Sequence, residues 1–238
     1  MALIKKKFYI YIILSFILFF SGNEMERKSK PLGRWFIIRN LGFINVIQFA
    51  LETIFFIKHY YVLKLNLKKL APCPVERKPQ GTLGLIQPED FEWIKTHLKS
   101  LTRQTRREIL SRFNFYNNGF YNCYVMKIDG DIACFQWLIE SKENQVIRKF
   151  YRRMFYSLHE TQVMVDNVFT FPQYRGRGYQ SLITRNLLKL ALDRGYTTAI
   201  IYIQNDRILT LNEFIDMGFK ITRRLYQMRI FGYTFRNL

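Results

Sequence analysis

Residues 171–179 read Phe171-Pro172-Gln173-Tyr174-Arg175-Gly176-Arg177-Gly178-Tyr179. Upstream, Glu160 to Phe171 is rich in Val and Phe and predicts a strand, which Pro172 ends because it has no amide hydrogen for a ladder. Downstream, Leu182, Ile183, Leu187, Leu190 and Ala191 recur at helical spacing over Tyr179 to Arg194, and Gly195 closes the helix. Two glycines between a strand and a helix let the backbone approach a phosphate closely. The free amides of the first helical turn and the helix dipole then attract a pyrophosphate, and Arg175 and Arg177 add positive charge.

The pattern continues on both sides. Thr197 to Ile203 predicts a strand, Asp206 to Met217 a helix closed by Gly218, and Phe219 to Phe235 the last strands. Ahead of the loop, Thr82 to Ile86 predicts a short strand, and Pro88-Glu89-Asp90 opens a helix with Pro and acids in its first turn. A second helix is expected around Arg103 to Phe115. Tyr121 to Ile128 and Asp131 to Glu140 form a hairpin about Asp129-Gly130. A two-residue turn there would set Cys123 and Cys134 on one face, diagonally offset and reduced. Val146 to Phe155 predicts a helix with Val146, Ile147, Phe150, Tyr151 and Met154 on one side and Arg148, Lys149, Arg152 and Arg153 mostly on another. That basic side is either solvated or a flap over an anionic acceptor or a membrane surface.

The loop resembles the CoA pyrophosphate loop of the GNAT (N-acetyltransferase) family, whose pattern Q/R-x-x-G-x-G/A is filled by Gln173, Gly176 and Gly178. Phe171-Pro172 and Tyr179 fit the flanking family run, and Leu85 to Asp90, Asn205 and Met217-Gly218-Phe219 resemble other family landmarks. The resemblance covers about 155 residues. It implies an α+β fold: a twisted mixed sheet with helices on both faces, whose two central parallel strands splay to admit pantetheine. It also implies acyl transfer from acetyl-CoA or another acyl-CoA to an amine, without a covalent enzyme intermediate and without a metal. Phe169, Phe171, Gln173, Tyr174, Arg175, Gly176, Arg177, Gly178, Tyr179 and Asn205 would then bind the co-substrate.

Such chemistry needs removal of a proton from the amine and stabilisation of an oxyanion and a thiolate. Asp166 is the first candidate for the base, an acid inside an otherwise apolar strand, with Glu160 and Asn167 nearby in sequence; Asn205 completes the catalytic candidates. Many family members carry a tyrosine acid where this chain has Phe214. Another tyrosine, Tyr202 or Tyr226, could serve, or the acidic CoA thiol could leave unaided.

Residues 1–79 differ in character. Lys5-Lys6-Lys7 precede an apolar run, Phe8 to Phe20, that suits a short anchor, a signal-like segment or a start upstream of the natural Met25. Leu41 to Ile57 is a second apolar run; its seventeen residues with Gln48 and Glu52 make a marginal transmembrane helix and suit an amphipathic or packed helix better. Tyr60 to Leu67 alternates as a strand, and Ala71-Pro72-Cys73-Pro74 starts a linker. Three segments are expected: 1–24 apolar, 25–79 helix, strand and linker, and 80–238 the acyltransferase domain.

Aromatics at 17% and apolar residues at 49% supply a core, and the formal charge of +19 favours anionic partners. The three histidines lack metal-ligand spacing. The function expected is N-acylation of a small molecule, amino sugar or lipid-linked intermediate, an anionic one included, as in bacterial acetyltransferases of surface-polysaccharide assembly, which the layout resembles. Acyl-CoA places the domain in the cytoplasm, with a membrane-surface contact through the N-terminal region. The alternatives are a CoA-binding module without turnover and a basic membrane- or nucleic-acid-associated protein; no nucleic-acid motif is present. The sequence leaves the oligomeric state open, a homodimer included.

Overall fold

The computed structural model of the chain describes residues 55–72, 81–230 and 233–237. They form one eight-stranded mixed sheet in the order β2-β3-β4-β5-β6-β1-β7-β8. The strands are β1 (Phe55–Asn66), β2 (Thr82–Leu85), β3 (Cys123–Ile128), β4 (Asp131–Glu140), β5 (Gln162–Thr170), β6 (Thr198–Gln204), β7 (Lys220–Ile230) and β8 (Tyr233–Arg236). All pairs are antiparallel except β5 with β6.

Helices cover both faces. On one lie α1 (Pro88–Leu98) and α2 (Arg103–Asn118), followed by α3 (Asn144–Val146), which continues as a wide turn through Ile147–Tyr151. On the other lie α4 (Tyr179–Asp193) and α5 (Ile208–Asp216). Their limits follow local chemistry. The Gln87 amide donates to Asp90 Oδ2 (2.8 Å) at the start of α1, and Thr102 Oγ1 accepts from the Thr105 amide (3.2 Å) at the start of α2. The two cores are largely apolar. Trp137 is fully buried, packed on Phe113 and Phe135, with its Nε1 donating to the Phe120 carbonyl (3.0 Å).

Four expectations change. The alternating strand at 60–67 extends back to Phe55, so Phe55–Ile57 belong to it and not to a helix; the rest of the two N-terminal apolar runs lies outside the described residues. β1 sits between β6 and β7, so the sheet begins ahead of residue 80. Cys123 and Cys134 face opposite cores, because a bulge between Met126 and Lys127 pairs Met126 with Cys134 but Lys127 with Ile132. One extra residue reverses which face each side chain takes. Finally, the helix expected over Val146 to Phe155 ends at Tyr151, and its wide turn buries Ile147, Tyr151 and Phe155 while leaving Phe150 exposed. Among the described residues, no helix is long and apolar enough to cross a membrane.

Candidate active site

After Phe171, a short turn over Pro172–Tyr174 leads into the glycine loop. Gly176 (φ 73°) and Gly178 (φ 75°) both adopt the left-handed conformation that side chains disfavour. A Cβ on Gly176 would meet no atom within 4 Å, so the space over the loop is open. The first helical bond of α4 runs from the Leu182 amide to the Gly178 carbonyl (3.1 Å). The amides of Gly176, Gly178, Tyr179, Gln180 and Ser181 therefore meet no backbone acceptor among the described residues. Gln173, Arg175, Gly176, Arg177 and Gly178 are exposed, and Tyr174 and Tyr179 are half-buried. Arg175 Nε donates to the Thr170 carbonyl (3.1 Å), and the Arg177 guanidinium lies 5.9 Å from the Tyr174 ring centre. The first turn of α4 is tied to α5, because Gln180 Nε2 (2.9 Å) and Ser181 Oγ both donate to Glu213.

Beside the loop the sheet opens. β5 and β6 pair only over Gln162–Met164 and Thr198–Ile200, and beyond Met164 each strand bonds only its outer neighbour. The parting begins where β5 bulges. Asp166 pairs with Trp137 and Phe169 with Phe135, so the intervening Asn167 and Val168 oppose Gln136 alone, and Asn167 takes φ 61°. Helix α2 clamps this bulge: Arg112 Nε donates to the Val168 carbonyl (3.2 Å), and Asn167 Nδ2 to the Arg112 carbonyl (3.2 Å). The gap and the phosphate-type loop share the C-terminal end of the parallel pair, where open sheets of this kind bind ligands.

Asp166 stands at the bulge with a carboxylate oxygen accepting from the Asn167 amide (2.6 Å). Burial pushes its pKa up to about 6, against the pull of that hydrogen bond and of Arg236 and Arg112. Arg236, from the last strand, sits 4.5 Å over the Tyr60 ring and 5.4 Å from the Tyr202 ring. Its Nη2 donates to Gln227 Oε1 (2.6 Å), and its Nη1 to the Met154 carbonyl in the segment after α3. Tyr202 is 8% exposed, with Tyr156 beside its hydroxyl. Phe155 and Tyr156 pack on its ring at 5.1 and 5.6 Å, and burial raises its pKa and that of Tyr60.

The expected site residues divide accordingly. Gln173 to Tyr179 form the loop, Asp166 borders the gap, and Asn205 is exposed at the C-terminal end of β6, its amide donating to the His59 carbonyl (2.9 Å). Phe169 and Phe171 are core residues, stacked on Phe135 and edge-on to Trp93, so only their main chain can face a ligand. Glu160 does not join the site. It is exposed before the start of β5, six residues and roughly 20 Å of strand from Asp166, at the end where β5 and β6 are still paired. Phe214 is fully buried against Phe219, and Tyr226 is 48% exposed, whereas Tyr202 lies in the cluster with Asp166 and Arg236. Tyr60, Tyr156, Gln227, Arg112 and Arg236 were not anticipated. They come from five separate segments, and only the alternation around Tyr60 hinted that its side chain would face a core.

The sequence matches no family model and no curated protein. Solved structures share the fold. The glucosamine N-acetyltransferase region, GCN5-related, of a fungal multi-domain GH3 β-N-acetylglucosaminidase aligns with 81% of this chain at 16% identity and a TM-score of 0.54. A conserved Staphylococcus epidermidis protein of unknown function aligns with 87% at 9% identity and a TM-score of 0.50, over 68% of its own length. An acetyltransferase from the GNAT family of Colwellia psychrerythraea aligns with 79% at 15% identity and a TM-score of 0.49. The chain spans 22% of the fungal protein and 62% of the Colwellia one. The fold is that of the GNAT acetyltransferases.

Proposed function

We propose that the chain is an acyl-CoA-dependent N-acyltransferase that moves an acetyl group from acetyl-CoA to an amine by direct transfer in a ternary complex. One observation carries this reading: the open amides of the glycine loop, the gap between β5 and β6, and the Asp166 carboxylate lie at one end of the sheet.

In this reading the pyrophosphate of CoA takes the loop amides from Gly176 to Ser181, with Arg175 and Arg177 adding charge. Pantetheine enters the gap, which brings the thioester to the bulge. Asp166, ionised at neutral pH, removes a proton from the acceptor ammonium. The freed amine nitrogen attacks the thioester carbonyl carbon. The carbonyl electrons move onto oxygen as the tetrahedral species forms. Collapse of the tetrahedral species breaks the carbon–sulfur bond and releases CoA thiolate, acidic enough to leave without a tyrosine at position 214. The amine's second proton goes to solvent and the thiolate takes one back. The products are an N-acetylated amine and CoA.

Amino sugars are the first acceptors to try, given the glucosamine-modifying region that shares the fold. The reading places the chain in the cytoplasm, where acyl-CoA is found. Calorimetry of acetyl-CoA with the full chain tests it, using Gly176→Asp as control. Binding that the added side chain and charge abolish, followed by CoA release with an amine, supports the transferase. Binding without turnover on any amine would identify a CoA-binding module, and no binding by a folded chain would refute both.

A further inference from the structure

Resting on that reading, we propose that the acceptor amine carries a phosphate ester, held in a depression formed by Lys64, Tyr156, Thr222 and Arg223. The depression measures about 480 Å³. It lies on the same face as Asp166. Val62 and Leu225 belong to the core shared by Met164 and Tyr202, so strand alternation puts Lys64 and Arg223 on that face as well.

The backbone is shaped to build this site. β7 carries a bulge: Val62 pairs with Arg223 but Leu63 with Ile221, leaving Thr222 as the extra residue. A bulge re-aims side chains, and here the adjacent Thr222 and Arg223 both line the depression instead of facing opposite ways. Thr222 Oγ1 donates to the Val62 carbonyl (3.1 Å), which fixes the bulge. Neither Lys64 nor Arg223 is paired with a carboxylate among the described residues, so both charges are available to an anion. The exposed Arg152 and Arg153 precede Tyr156 and add to the positive field.

The depression adjoins the cluster that holds Asp166. Tyr156 lines it and packs on Tyr202, which stands with Arg236 and Asp166. Lys64 lies opposite Ile200, itself opposite Met164. Two strand spacings, roughly 10 Å between Cα atoms, therefore separate Lys64 from Met164, and Asp166 lies two residues further along β5, where it parts from β6. A short phosphorylated amine and the two side chains bridge that interval. The charges suit a dianionic phosphate, which two cations and a phenol bind better than they bind a neutral hydroxyl.

The test uses the full chain with CoA and a matched pair of probes, 3-aminopropyl phosphate and 3-aminopropanol, followed by calorimetry. The phosphate is expected to bind at least tenfold more tightly, with inorganic phosphate competing. The double variant Lys64→Gln/Arg223→Gln is expected to erase the difference, and Arg223→Lys to keep most of it. Equal affinity for the two probes, or a preference that survives in the double variant, would overturn the subsite. If acetyl-CoA binds and phosphate preference is absent, the subsite fails alone. If phosphate binds through these residues but acetyl-CoA does not bind, the acyl-transfer reading fails, and the acceptor role with it. Competition by inorganic phosphate with no contribution from the amine, seen as equal affinity for propyl phosphate, would reduce the site to a free-phosphate site and overturn the acceptor role.

Discussion

Arg236 lies over the ring of Tyr60, its guanidinium carbon 4.5 Å from the centroid, and so joins the last described strand to the first. The same side chain holds the Met154 carbonyl and contributes positive potential at Asp166. Because Arg236 lowers the pKa of Asp166, Arg236→Leu should raise it. The acid limb of kcat/KM against pH is then expected to move to higher pH, with Arg236→Lys restoring part of the shift. An unmoved limb would leave Arg236 a purely structural residue.

Asp166→Asn is expected to lower kcat by about 10²- to 10⁴-fold, the usual range for loss of a general base, while the Kd for acetyl-CoA stays within about twofold. Unchanged turnover would remove Asp166 from the mechanism.

The same variant should change stability with a definite sign. The folded pKa of Asp166, about 6, lies above its ordinary value of 3.8, so the folded chain holds the proton more tightly. Stability from this group is full below the unfolded pKa and is lost as pH rises through 6. Relative to wild type, Asp166→Asn should gain up to about 3 kcal/mol between pH 4 and pH 8, at 1.36 kcal/mol per pKa unit. Urea melts at both pH values measure it.

Glu140 is 1% exposed, and its two oxygens are taken by Arg194 (2.6 Å) and Lys142. Arg194 also donates to the Tyr124 hydroxyl (2.8 Å). Arg194→Met leaves a buried carboxylate with one exposed lysine, and is expected to cost about 3 kcal/mol, as when one partner of a buried pair is removed. Arg194→Met/Glu140→Gln should recover part of that loss in the same urea melts.

Both described cysteines are buried, and burial pushes the Cys134 thiol up to about 12 and the Cys123 thiol well above its ordinary value. Thiolate is the reactive form. Alkylation of both by iodoacetamide at pH 8 is expected only at the rate of unfolding. Fast modification of either in the native chain would contradict the packing.

The loop was legible because its chemistry is local: a proline, two glycines and a helical repeat lie within one short stretch. The strand and helix order was legible for the same reason. Hidden were the places where one residue is inserted into a ladder, at Ala133 opposite the β3 step, at Asn167 and at Thr222. No residue type announces a bulge, yet each decides which face its neighbours take. That is why Cys123 and Cys134 were expected together and lie apart. The partners of Asp166 were hidden for another reason: Tyr60 and Arg236 stand far from it in sequence, and only the strand order brings them close.

Of the described strands, β1 is made first and used last. Its partners β6 and β7 begin at Thr198 and Lys220, so during synthesis the strand from Phe55 to Asn66 waits for nearly the whole chain before either edge is covered. Contacts so distant in sequence are slow to form and leave apolar strand edges open meanwhile. Yield from a cell-free ribosome should therefore depend on holding that early strand apart from other chains until β6 and β7 have emerged.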